Sequence, residues 1–260
     1  MDVTNKIIQN KTGFSIADLT DNIVNRKYSL HLLKMEKRSN QSFQLKNSIA
    51  TLIIIEGEVK ITNQVQNFER TFKLEEGLHL MEGTNLEISS QSGAKLLIAS
   101  TSPFPLQLCD TINNKFEFEE LSSYHVDKPW GWEKWYTKNV DETTEYALKM
   151  IFMNEGNQSS LQSHKDKSET NYVIFGEANV IYGLDAPQDR SSVIALDQLK
   201  EKIHCSFEGW SNKVNELHRV IAKKTYKAIE VSTTELDDVI RWQDDALRPD
   251  GKITEEHKSN

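Results

Sequence analysis

The chain has 260 residues, with 31 Lys plus Arg against 39 Asp plus Glu, for a formal net charge of −8. That acid excess argues against a nucleic-acid partner, because no cationic surplus is left to neutralise phosphates. Hydrophobic residues make up 37% and aromatics 8%, a composition for a folded, wet-surfaced protein of one large domain or two small ones.

The densest apolar run is Leu52–Ile55, far short of the ~20 residues a bilayer span needs. No continuous apolar core follows the N-terminal MDVTNKIIQNKTGF, so no secretory signal is read there and the expected location is cytoplasmic. Cys109 and Cys205 form neither a metal pair nor a redox CxxC.

In chain order, short β-branched or aromatic runs predict strands over Thr51–Ile55, Glu58–Thr62, Arg70–Leu74, Lys95–Ala99, Ala147–Phe152, Asn171–Phe175, Asn179–Tyr182, Val220–Ala222 and Ala228–Val231. Helical patterns are few, the best being Asp197–Ile203 and Glu235–Trp242. The last dozen residues read as a flexible tail over 249–260. Many short strands at regular spacing predict an all-β sandwich or barrel.

The chain also repeats itself. LIIIEGEVKIT at Leu52–Thr62 matches YVIFGEANVIY at Tyr172–Tyr182, with Gly57 and Gly176 119 residues apart. KLLIAST at Lys95–Thr101 matches YKAIEVST at Tyr226–Thr233. Two copies of one β unit are expected: residues 1–110, a linker over 111–126, and residues 127–248.

The second copy carries Gly156-x5-Gln162-x-His164-x4-Glu169-x6-Gly176. Residues two apart on a strand share a face, so Gln162 and His164 point the same way. Glu169 returns to that face after a short turn, and His218 in NELHRVIA is a fourth donor. Two imidazoles, a carboxylate and an amide oxygen suit one divalent transition metal; Zn is the expected ion, with Mn, Fe or Ni as alternatives.

This spacing resembles the first motif of the cupin superfamily, G-x5-H-x-H-x(3,4)-E-x6-G. Gly156, His164, Glu169 and Gly176 match in register, and Gln162 takes the place of the first His. The second motif, P-x-G-x2-H, is matched at His218, with Lys213 and Asn215 where Pro and Gly would stand. The resemblance implies two tandem jelly-roll barrels, a bicupin with a few short helices, and a metal inside the second. At the same offsets the first copy has Phe43, Leu45, Ala50 and Leu86. A barrel with those residues has no metal donors and is expected to be structural. His31 and His79 lie off these positions and are expected at the surface.

Lys128-Pro129-Trp130-Gly131, then SSLQSH ending at His164, then His218-Arg219-Val220 resemble the cupin-type phosphomannose isomerases and the isomerase domains fused to sugar nucleotidyltransferases. The likeness covers about residues 127–248. It departs at Lys167, where that family has Arg, and at Thr170, where it has His. It implies an aldose–ketose isomerase acting on a sugar or sugar phosphate, which moves a proton between C1 and C2 through an enediol.

Expected proton carriers are Glu169, Lys149 and His218. Expected substrate contacts are Lys128, Trp130 and Arg219. Trp130 either stacks on a sugar or plugs the barrel end. Strand alternation aims Arg219 away from the metal, towards a phosphate at the mouth or towards solvent. Asp237 and Asp238 are expected in a solvent-exposed helical turn. A non-catalytic sugar-binding bicupin is the alternative, and an iron dioxygenase ranks last because Gln162 replaces a His. A homodimer is left open as a partner.

Overall fold

The protein is described here by a computed structural model, covering residues 1–23, 26–46, 48–101, 106–110, 115–136 and 145–257. It divides into two compact units, one of Thr4–Ser122 and one of Met1–Val3 with Ser123–Asn260.

The first unit carries β1 (Lys6–Lys11), β2 (Phe14–Asp18), β3 (Ser29–Met35), β4 (Ser39–Leu45), β5 (Ala50–Gly57), β6 (Val59–Asn63), β7 (Phe68–Phe72), β8 (Gly77–Leu80), β9 (Asn85–Ser90), β10 (Ala94–Ser100), β11 (Leu106–Leu108) and β12 (Phe118–Glu120). They form two antiparallel sheets, in the orders β1-β2-β3-β10-β5-β8-β12 and β11-β4-β9-β6-β7. On β4, Phe43 and Leu45 are fully buried while Gln44 between them is not, the period-2 pattern of a strand with one face on a core. Their neighbours in that core include Leu52, Ile61, Leu86 and Ile98, so apolar packing fills the barrel.

The second unit carries β13 (Tyr124–Lys128), β14 (Gly131–Trp135), β15 (Ala147–Met153), β16 (Leu161–Ser163), β17 (Glu169–Asp185), β18 (Lys200–Cys205), β19 (Gly209–Asn212), β20 (Glu216–Ser232) and β21 (Ile240–Gln243). The two long strands, β17 and β20, pair with each other along their length. β15 and β19 flank one end of this pair, and β16 and β18 the other. The bend falls at Gly176, where the pairing register shifts. Its φ is +86°, and a Cβ there would lie 2.1 Å from the Thr225 carbonyl oxygen. Gly57, its partner in the repeat, has φ +74° and an equally blocked Cβ position. The repeated glycine therefore marks a close backbone crossing in each unit.

Every expected strand is present, and the two pairs expected in the second copy, Asn171–Phe175 with Asn179–Tyr182 and Val220–Ala222 with Ala228–Val231, merge into β17 and β20. Other expectations need correction. Asp197–Ile203 is one 3₁₀ turn, Leu196–Gln198, followed by β18, and the end of the second expected helix, Glu235–Trp242, overlaps β21. Both runs are short, where apolar periodicity cannot separate strand from helix, and a paired edge decides. The expected linker carries β12 and most of β13, while residues 111–114 within it lie outside the described residues. The expected flexible tail has a 3₁₀ turn at Thr254–His257, and Glu256 is tied to Lys128 at 2.6 Å. His31 is fully buried rather than at the surface, 3.9 Å from an Asp18 carboxylate that Arg26 also grips. His79 is half-buried with Nδ1 2.9 Å from Thr51 Oγ1.

Because Phe43 is fully buried in a filled core, Phe43→Ala is expected to lower stability by about 3–5 kcal/mol. Urea denaturation reads the loss, and metal binding by the purified variant stays at the wild-type level.

Candidate metal centre and its ionic cavity

β16 ends at Ser163, and the chain runs on through His164 into the turn that opens β17 at Glu169. Gln162 pairs across the sheet with His218 on β20. The four expected donors thus come from three neighbouring segments. His164, Glu169 and His218 are all buried, and one ligand atom from each lies within 4.8 Å of the others. His164 Nε2 is 3.6 Å from Glu169 Oε2, and His218 Nε2 is 3.3 Å from Glu169 Oε1.

The outer nitrogens of both imidazoles are committed. His164 Nδ1 donates to the Asp238 carbonyl oxygen and His218 Nδ1 to the Glu216 carbonyl oxygen, the latter at 2.9 Å. Both rings are thereby held as the tautomer whose Nε2 carries a lone pair towards the centre, as metal-binding histidines require. Burial, with the Lys167 charge nearby, pushes the His164 pKa down to about 3, so the ring is neutral at neutral pH. Lys167 and the two imidazoles hold the Glu169 carboxyl well below its usual range, against the opposing effect of burial. Gln162 directs its amide nitrogen at the two Nε2 atoms, 3.5 and 3.3 Å away, and its oxygen at Ser160 Oγ. Turning the amide over presents the oxygen instead. A neutral His pair, an ionised carboxylate and an amide oxygen fit a divalent ion.

The turn between His164 and Glu169 is held by a residue expected to be solvent-exposed. The Asp238 carboxylate accepts backbone N–H bonds from Lys165, Asp166 and Lys167, so it is anchored rather than free. Asn215, in the place of the motif glycine, has φ +62° and donates its N–H to the His164 carbonyl oxygen at 2.6 Å. Asn is among the few side chains that tolerate this left-handed conformation. The turn at this departure from the second motif is thus held without a glycine.

The centre opens into a cavity of about 120 Å³. Opposite pairs across β14, β15, β20 and β17 lay Trp135, Lys149, Glu230 and Asn171 in one inward row. Around it runs a chain of alternating charges. Lys167 Nζ is 2.5 Å from Glu169 and 3.0 Å from Glu230. Lys149 Nζ is 3.3 Å from Glu230 and 2.9 Å from Glu133. Lys128 Nζ is 3.5 Å from Glu133 and 2.6 Å from Glu256. Arg248, clamped by Asp244 at 2.9 Å, completes the line near Glu256. Despite burial, Lys149 and Lys128 hold Glu133 far below the usual carboxylate range, and Glu133 and Glu230 hold Lys149 far above the usual lysine range.

Trp130 is buried and lines the cavity, and Lys128 and Lys149 line it too. Arg219 does not: it gives Nη2 to the Gln243 carbonyl oxygen, and Arg241, Arg248 and Lys252 are the further cations on the cavity wall. Strand alternation signals only that Arg219 turns from the metal; whether it stays at the cavity mouth is not contained in it. Glu133, Glu230 and Asp238 are contributors that sequence reasoning missed. Glu230 lies in the repeated KAIEVST segment, but only strand register brings it to Lys149.

In the first unit, Phe43 pairs with Leu86 as Gln162 pairs with His218 in the second. Phe43, Leu45, Ala50 and Leu86 are all fully buried in the apolar core. Among the described residues the His–Glu–His cluster of the second unit is the one group able to hold a metal.

The chain thus has a bicupin fold, two jelly-roll units, with donors able to hold a metal in the second. No family profile matches the chain, and no curated protein matches it by sequence. Among solved structures it is similar to the Lactobacillus farciminis oxalate decarboxylase formate complex, at 10% identity and a TM-score of 0.64, covering 93% of this chain and 87% of that one. It is also similar to a tryptophan-to-phenylalanine variant of Bacillus subtilis oxalate decarboxylase, at 11% identity and a TM-score of 0.62, covering 92% and 77%. These likenesses establish the fold. Among the described residues no helix is long and apolar enough to cross a membrane.

His164 binds a proton only near pH 3 in the folded chain but near 6.5 when unfolded. Between those values the unfolded state holds more protons, so stability rises with pH. Acidifying the metal-free protein from about 6.5 towards 3 is expected to destabilise it through this group. Calorimetry across that range should show a shallower slope for His164→Gln.

Proposed function

We propose that the second barrel is a metal-dependent aldose–ketose isomerase acting on a sugar or sugar phosphate by enediol proton transfer. The observation that carries this reading is a cluster of donors for a metal opening onto a small cavity walled by alternating acids and bases. Gln162, His164, Glu169 and His218 would hold the ion, with Zn the expected metal and Mn, Fe or Ni the alternatives. A divalent ion supplies polarisation of the sugar's carbonyl and hydroxyl oxygens without redox change.

The chain's own residues supply the remainder. Glu169 has both oxygens engaged, by Lys167 and by Asn212 at 2.8 Å, which suits a ligand better than a proton carrier. His218 is fixed by its Nδ1 bond for the same ligand role. Lys149 stays charged between Glu133 and Glu230 and serves as a fixed positive charge beside the reacting oxygens. Ile151, Met153 and Val220 give the wall an apolar share, and Trp130 offers a ring to a sugar face. Lys128 with Arg241 and Arg248 would receive an anionic end of the substrate, in place of Arg219.

A second reading, a non-catalytic sugar-binding bicupin, draws on the Lys167 ammonium that already neutralises Glu169. Elemental analysis of the purified protein, followed by a panel of sugars and sugar phosphates with the metal found, separates the two. The isomerase reading expects bound divalent metal and aldose–ketose interconversion that His164→Ala abolishes. Binding without interconversion would establish the second reading. Oxalate belongs in the panel, given the activity named for the structural neighbours, and its decomposition would overturn both.

A further inference from the structure

Three carboxylates line the cavity from the donor cluster to Lys128, and their surroundings differ. Glu169 faces the two imidazoles. Glu133 is held by Lys149 and by the Trp135 indole N–H at 3.0 Å, with Lys128 3.5 Å away. Glu230 differs from both. It is buried on β20, with one oxygen 3.0 Å from Lys167 and the other 3.3 Å from Lys149. Among the described residues its polar contacts are these ion pairs, with no hydrogen bond to an amide or indole of the kind that fixes Glu169 and Glu133. It stands opposite Asn171, two residues along β17 from Glu169 and on the same face. Glu230 is thus placed beside the donor cluster, on the cavity wall, and outside the donor set.

We propose that Glu230 is the acid–base residue that carries the proton between C1 and C2 of the substrate, with Lys149 and Lys167 positioning its two oxygens. The assignment rests on the isomerase reading and replaces Glu169, Lys149 and His218 in that role. In the aldose-to-ketose direction the Glu230 carboxylate takes the proton from C2. The C2–H electron pair becomes the C1=C2 bond, and the carbonyl π pair moves onto O1. The hydroxyl proton on O2 passes to O1 within the cis-enediolate, and an O2 lone pair forms the C2=O bond. The C1=C2 pair then takes the proton back from Glu230 at C1, so no proton is gained or lost.

The electrostatic setting suits this work. Burial and the Glu169 charge push the Glu230 carboxyl upward, while Lys149 and Lys167 pull it back. Glu133 on β14 adds to the upward push. Glu133 and Glu169 are driven the other way. Of the three, Glu230 alone has its proton affinity raised, the divergence that separates a proton carrier from charges that must stay ionised.

The test compares wild type, Glu230→Gln and Glu230→Asp, each loaded with the metal found in wild type. Metal content by elemental analysis and folding by thermal denaturation should be retained in both variants. Glu230→Gln should lower kcat by about 10²–10⁴-fold with little change in KM, and should stop exchange of the substrate's C2 hydrogen with deuterated solvent. Glu230→Asp, which keeps a carboxyl, should recover part of both. In the metal-free protein, infrared difference spectra should show a neutral carboxyl that titrates above the usual glutamate range and vanishes in Glu230→Gln. Glu230→Gln with near-wild-type kcat and hydrogen exchange would overturn the assignment while leaving the isomerase reading intact. Loss of metal or of the folded state in Glu230→Gln but not in Glu230→Asp, with Glu230→Asp fully active, would also overturn it, as a structural ion pair. A metal-loaded wild type inactive on every sugar would overturn the isomerase reading and the assignment together.

Discussion

The second barrel depends on its chain of alternating charges. Glu169, Lys167, Glu230, Lys149, Glu133 and Lys128 have side chains between 5% and 12% exposed, so each is largely shielded from bulk water. A buried charge is tolerated only when paired, and removing one partner of such a pair costs about 3–5 kcal/mol. Each member here is held from two sides, which sets its rotamer and leaves little freedom to the cavity wall. The metal donors stand at the inner end of this line, and Glu256 with Arg248 at the other. The charge on Glu169 is therefore set both by the imidazoles and by a lysine that is itself shared with Glu230. Tying the donor cluster to the cavity wall in this way is what makes the site a chemical chamber and not an isolated group of ligands.

The first unit shows the alternative solution to the same strand problem. At matching positions it places Phe43 opposite Leu86 where the second places Gln162 opposite His218. Apolar side chains there are stabilised by packing and by release of water, with no partner required. Its interior is not wholly apolar, since Asp18, Thr20 and His31 are buried together beside Arg26. One backbone plan thus accommodates a filled core and a polar chamber, according to which side chains occupy the inward positions.

Backbone restraint completes the site. The turn that carries His164 towards Glu169 has its N–H groups collected by Asp238 and a carbonyl taken by Asn215. Asn215 takes a left-handed conformation that glycine adopts freely and Asn tolerates, so the turn forms without glycine. The segment after Leu247 is likewise tied down: Gly251 N–H donates to the Val239 carbonyl oxygen at 2.8 Å, and Gly251, Lys252 and Ile253 line the cavity. Its polar composition suggested mobility because composition says nothing of a Lys128 waiting far away in the chain.

The sequence by itself determined the two-barrel plan, the His164, Glu169 and His218 cluster, and the apolar replacement of all four donor positions in the first copy. These were legible because strand alternation and motif spacing are local: two residues along a strand return to the same face whatever surrounds them. Only the tertiary structure decided that Arg219 leaves the cavity to Arg241 and Arg248, that β18 and β21 are strands, and that Asp238 anchors the donor turn. Only it brought Glu230 between Lys149 and Lys167, because cross-strand neighbours are set by register between segments distant in the chain. Charge pairing inside the barrel is a property of that register, and no run of residues along the chain contains it.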